Sequence, residues 1–185
     1  MKYLHARGIT ALVSVLVLAC GVGAKNWWRS QQPSAIQSSD VQLQHNTWRG
    51  LIPLQSKRAD VERLLNSPRL SHGFTYVYQT GNERVDVLYS AGPCQMSGVE
   101  RWKVPADTVL KIMVTPKATL LIRDLRPDAT RYSRTQDAHP ENWVHYWNLE
   151  DGITVDALLN DGCEEVLSVT YQASAKDRKS PLACG

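Results

Sequence analysis

Apolar and polar positions divide the chain into three stretches. Lys2, His5 and Arg7 precede an apolar run from Ile9 to Ala19, and small residues follow it; a positive start, a short apolar centre and small residues make a secretory signal. The run is too short to cross a bilayer, which takes about 20 apolar residues, and Lys25 follows directly on the small residues. From Lys25 to Asn46 the chain turns to Ser and Gln, as in Ser30-Gln31-Gln32-Pro33-Ser34, and buries too little apolar surface to fold. The pattern predicts a signal peptide over 1–24, a polar tether over 25–46 and a single domain over 47–185.

The clearest period in the domain is helical. Val61, Leu64 and Leu65 recur at i, i+3 and i+4, while Lys57, Arg58, Asp60, Glu62 and Arg63 take the other face. Ser56 is the candidate N-cap, Asn66 the left-handed stop, and Pro68 bars continuation. The runs Phe74 to Thr80 and Arg84 to Ser90 alternate as strands joined by Gly81-Asn82, with Phe74, Tyr76 and Tyr78 facing one way on the first and Val85, Val87 and Tyr89 on the second. Thr108 to Thr115 is a further strand, and Leu120 to Leu125 fits a strand or a short helix. After a polar loop from Arg126 to Glu141 come Trp143 to Asn148, Ile153 to Leu159 and Glu165 to Tyr171, separated by Asp151-Gly152 and Asp161-Gly162. The sum is an α+β fold: one short amphipathic helix packed on an antiparallel β-sheet of about five to six strands. The polar tail from Ser174 frays unless Cys184 ties it down.

Composition narrows the partner. Of 21 basic residues, Lys2 and Arg7 fall in the signal, which leaves 19 against 18 acidic ones, interleaved from Arg49 onward. A nucleic-acid binder gathers a basic excess on one face, so no nucleic-acid partner is expected.

Two processing routes fit the N-terminus. Val22-Gly23-Ala24 suits ordinary cleavage before Lys25, whereas Val17-Leu18-Ala19-Cys20 resembles a lipobox, which makes Cys20 the lipidation candidate and implies lipid-anchored membrane attachment. Trp27 and Trp28 then sit at the membrane interface, pack back on the domain or merely mark the signal's exit. Either route leaves Cys94, Cys163 and Cys184, one of them odd. Oxidising conditions outside the cytoplasm favour a disulfide among the three. The expected pair is Cys94 with Cys184, stapling the tail to the turn Ala91-Gly92-Pro93-Cys94, with Cys163 left as a small buried hydrophobe.

Leu54-Gln55-Ser56 leading into Asp60-Val61-Glu62-Arg63-Leu64-Leu65-Asn66-Ser67-Pro68, followed by an aromatic hairpin, resembles the small outer-membrane lipoproteins of the β-barrel assembly machinery. The resemblance implies a helix followed by a β-meander. The Gly-Met-Thr start usual in that family is absent, and Asn66 stands where it has Gly. Over its length the chain is also similar to uncharacterised exported bacterial proteins that share Trp48-Arg49-Gly50, Tyr89-Ser90-Ala91-Gly92-Pro93-Cys94 and a closing Cys. That similarity implies a family fold and the Cys94–Cys184 pairing.

Catalytic chemistry finds little purchase. Asp137, His139, Glu141 and His145 form the densest set of metal-ligand types, but without a recognised spacing, and Asp137-Ala138-His139-Pro140 reads equally as a turn into a strand. Cys94 has no adjacent cation to activate it as a nucleophile. Neighbouring carboxylates such as Glu164 and Glu165 point to opposite strand faces and cannot share a proton. No cofactor motif is present, and no cofactor is expected.

The chain is unusual in its aromatics, with six Trp and seven Tyr against one Phe. Trp143, His145 and Trp147 share one face of a strand and form the candidate binding face, core packing being the other use of such residues. The expectation is an exported, non-catalytic envelope protein that binds an envelope protein partner. The alternatives are a secreted inhibitor or binding module, and a hydrolase or metal-dependent enzyme using His139 or His145.

Overall fold

A computed structural model describes residues 43, 46–96, 101–137 and 142–184. Among the described residues eight antiparallel strands form one sheet, flanked by three short helices. The helix α1 (Arg58–Leu65) precedes β1 (Leu70–His72), β2 (Thr75–Gln79), β3 (Glu83–Tyr89) and β4 (Val109–Pro116). The single turn α2 (Ile122–Leu125) precedes β5 (Ser133–Gln136), β6 (Trp143–Asn148), β7 (Ile153–Asn160) and β8 (Cys163–Gln172), and α3 (Ala175–Arg178) closes the chain.

The strand order is β1-β2-β3-β4-β8-β7-β6-β5, two four-stranded meanders joined where β4 pairs with β8. The two halves repeat the same construction. In each, an Asp at the third helical position caps the turn: Asp60 Oδ2 accepts from the Lys57 N–H at 2.9 Å and Asp124 Oδ2 from the Leu121 N–H at 3.2 Å. The residue before that cap accepts a backbone bond from the half's last strand, Val109 N–H to Ser56 O at 2.9 Å and Val166 N–H to Leu120 O at 2.8 Å. The register also slips at matching places, between Leu88 and Tyr89 against β4 and between Asp156 and Ala157 against β8. Such bulges bend a strand and sharpen its twist.

The antiparallel sheet with a helix against it agrees with the sequence, but the described residues hold three short helices rather than one and eight strands rather than five to six. The two unforeseen strands, β1 and β5, are the sheet's edges and are exposed throughout. Having no buried face, they carry no alternation of apolar residues. Lys57 rather than Ser56 occupies the cap position of α1; the Ser56 hydroxyl instead accepts from the Ile52 N–H at 2.9 Å. Asn66 ends the helix at φ 65° and ψ −163°, a positive-φ but extended conformation rather than the left-handed helical stop expected, with its N–H on the Glu62 carbonyl at 2.9 Å. Leu121 makes one isolated bridge to Glu165 before α2 begins, so the ambiguous 120–125 stretch is partly both.

One face of the sheet holds the main core. Tyr78, Val85, Val87, Ile112, Val114, Val169, Tyr171, Val155 and Val144 project into it and meet Val61 and Leu65 of α1, Ile122 of α2, and Trp48. Phe74, expected to share a strand face with Tyr76 and Tyr78, lies instead in the β1–β2 turn and is 47% exposed. Leu43 is also buried here, and its carbonyl accepts from the Tyr132 hydroxyl at 2.9 Å. The packed structure therefore reaches back at least to Leu43, inside the stretch read as tether. Trp48-Arg49-Gly50 is a tight turn, closed by mutual backbone bonds between Trp48 and Leu51, with Arg49 at φ 50° and Gly50 at φ 82°. It buries Trp48 completely and aims Arg49 Nη2 at the buried Glu83 carboxylate, 2.9 Å away.

A smaller cluster of Leu54, Trp102, Val104, Leu110 and Ala173, with Leu88 and Ala183 against it, packs the β3–β4 loop and the C-terminal tail together. Cys94 and Cys184 are joined in a disulfide across 90 residues. The tail does not fray: Ser174 caps α3, its Oγ accepting from the Asp177 N–H at 3.1 Å. Cys163 departs from expectation. It opens β8 beside the turn at 161–162, is half-buried rather than buried, and is not a free thiol.

Candidate docking face

Strand alternation assigns the second face of β5–β8. It carries Ser133 and Thr135 from β5, Trp143, His145 and Trp147 from β6, Thr154, Asp156 and Leu158 from β7, and Glu165, Ser168 and Thr170 from β8. Val61 and Leu65 of α1, Ile122 of α2, and Leu43, Trp48 and Leu51 all pack with the core on the other side.

The three residues singled out from sequence form a continuous ladder. The His145 ring stacks on Trp143 with centroids 6.0 Å apart and rings 23° from parallel, and sits 6.0 Å from Trp147 at 33°. Trp143 and His145 are half-buried and Trp147 is 38% exposed. Trp48 and Trp102, by contrast, are core residues. The aromatic surplus thus serves packing in both clusters and a partly open surface on β6.

Of the residues that hold the imidazole, the sequence groups Asp137 with His145 but does not bring Asp156 or Ser168 to it. His145 Nδ1 lies 2.8 Å from Asp156 Oδ1, its direct partner across the β6–β7 pair, and Nε2 lies 3.4 Å from Asp137 Oδ2. Asp156 Oδ2 accepts from the Ser168 hydroxyl at 3.0 Å. The bond to Asp156 raises the imidazole above its ordinary range; partial burial opposes the rise and Asp137 adds to it. Asp156 and Ser168 were findable in principle, since Asp is uncommon inside strands, but only the register of β6, β7 and β8 brings them opposite His145.

This chain of bonds is not the order nucleophilic catalysis uses. There the imidazole stands between the hydroxyl and the carboxylate and takes the hydroxyl proton; here Asp156 stands between Ser168 and His145. Of the candidate metal set, His139 and Glu141 lie outside the described residues, and among the described ones no three His, Cys, Asp or Glu side chains converge as ligands. Cys94 is held in its disulfide. Cys20 lies outside the described residues, and no described helix is long and apolar enough to cross a membrane.

No family model and no curated protein matches the chain. A solved structure of a DUF4309 family protein (YjgB) from Bacillus subtilis aligns with 11% identity, covering 69% of this chain and 84% of that one at a TM-score of 0.44. At that distance it says nothing about what either protein binds.

Proposed function

We propose that this chain is an exported, non-catalytic envelope protein that docks a protein partner on the second face of β5–β8. The observation that carries the reading is the Trp143–His145–Trp147 ladder, partly exposed on the sheet face opposite the main core. Tryptophan is favoured in interface hot spots because a large rigid surface is buried at low entropic cost. A sheet fixed by cross-strand pairing on both sides of β6 presents that surface without reorganisation. The signal-like N-terminus supports export, and the lipobox at Cys20 supports anchoring to a membrane.

The reading is tested by tagging the chain in its own host and measuring recovery of its co-purifying protein from the envelope. The double variant Trp143→Ala, Trp147→Ala loses that protein while remaining folded by circular dichroism. Equal recovery with the double variant removes the face from the account. If the recovered partner is a hydrolase that loses activity at one-to-one stoichiometry, the chain is an inhibitor using the same surface.

A further inference from the structure

Resting on the docking reading, we infer that the partner segment received by this face is basic, with a lysine or arginine side chain laid against the Trp143–His145–Trp147 ladder and paired with Asp137. The argument is charge complementarity. On the described part of the second face of β5–β8, strand alternation places the carboxylates Asp156 and Glu165, with Asp137 at the end of β5. His145 is the one titratable cation among these described face residues, and it already lies between Asp156 and Asp137. The nearest arginine of β5, Arg134, points to the opposite face, where Glu164 takes it at 2.6 Å.

The geometry favours a cation reaching Asp137. Asp156 is engaged on both oxygens, by His145 and by Ser168. The Asp137 side chain is 65% exposed, and its contact to Nε2, at 3.4 Å, is longer than an ordinary hydrogen bond between these groups. The Asp137 N–H donates to the Trp143 carbonyl at 2.9 Å and its carboxylate lies 3.4 Å from His145, so it stands at the edge of the aromatic ladder. Aromatic rings next to a carboxylate are a setting that guanidinium and ammonium groups prefer, since the ring face attracts the cation and the carboxylate neutralises it. An acidic segment would meet Asp137, Asp156 and Glu165 with like charge.

The test uses the purified full chain, immobilised, and three matched pools of dodecapeptides built on Ser, Thr and Gly that carry three Arg, three Glu or three Gln. The Arg pool is retained at least about tenfold over the others. Trp147→Ala lowers that retention about 30-fold, in the range of an aromatic hot spot. Asp137→Asn, a change at an exposed site, lowers it several-fold, and raising salt does the same. Retention of the Glu or Gln pool through Trp147 overturns the basic-partner inference and leaves the docking reading standing. Retention of the Arg pool undiminished in Trp147→Ala, or of no pool at all, also overturns the inference; the co-purification experiment above then decides the docking reading separately.

Discussion

His145 Nδ1 lies 2.8 Å from Asp156 Oδ1, directly across the β6–β7 pair, with indole rings above and below the imidazole on its own strand. This pair gives the face a pH dependence whose sign follows from the imidazole's position. Its value is raised by Asp156 first and by Asp137 also, the two described acids that contact it. A group whose value rises on folding stabilises fully below its unfolded value, near 6.5, and that contribution is lost as pH climbs through the folded value. His145→Gln is therefore most destabilising at about pH 5, and the gap to the parent narrows toward pH 9. Urea unfolding across that range measures it; a gap independent of pH would contradict the assignment.

Tyr78 and Tyr89 share a buried hydroxyl contact of 2.8 Å beneath α1. Burial pushes both phenols above their ordinary range, Tyr89 far above it. Removing one hydroxyl strands the other in an apolar site, at a cost of about 1–3 kcal/mol, whereas removing both is close to neutral. Tyr89→Phe is thus expected to destabilise more than the double Tyr78→Phe, Tyr89→Phe variant. Additive losses in a double-mutant cycle would show that the pair is not coupled.

Gly152 sits at φ 69° in the β6–β7 turn, and a Cβ there would come within 2.2 Å of the Gln172 carbonyl oxygen. The turn also holds Asn148, which binds the Asp151 carboxylate at 2.7 Å. Gly152→Ala combines a disfavoured backbone with a clash against rigid main chain, and is expected to cost about 2–4 kcal/mol. A thermal midpoint within a degree of the parent would exclude the turn geometry described.

The Cys94–Cys184 bond closes a span of 90 residues and fastens the tail over Trp102. In the chain-entropy description, a loop of that size contributes about 4 kcal/mol. Cys94→Ser and Cys184→Ser each lose that amount, and the double variant loses no more than either alone. Mass spectrometry before and after reduction checks the bond, and non-reducing denaturant unfolding checks its worth.

How much of this was legible depended on whether a residue's role was local. The helix itself, the Gly81-Asn82 turn and the shared face of Trp143, His145 and Trp147 follow from periods of 3.6 and 2 and were readable directly, although only Val61 and Leu65 of the helix's apolar set are buried and Leu64 is 43% exposed. Edge strands β1 and β5 were not, because an exposed strand needs no apolar rhythm and is defined by its neighbour's backbone. Leu43 carried no signal either, being one apolar side chain in a polar stretch that is buried under Tyr132. Asp156 and Ser168 were hidden from His145 for a related reason. Asp156 is 11 residues away and Ser168 a further 12, and only strand register brings the three together.

The central claim, that Trp147 stands at a protein-binding surface, is tested most directly by placing a photo-crosslinking amino acid at position 147 and, separately, at exposed Arg63 on α1, then irradiating the native host's envelope. The account predicts one discrete adduct from position 147 and none from position 63. Adducts of equal intensity from both positions, or none from 147, would contradict it.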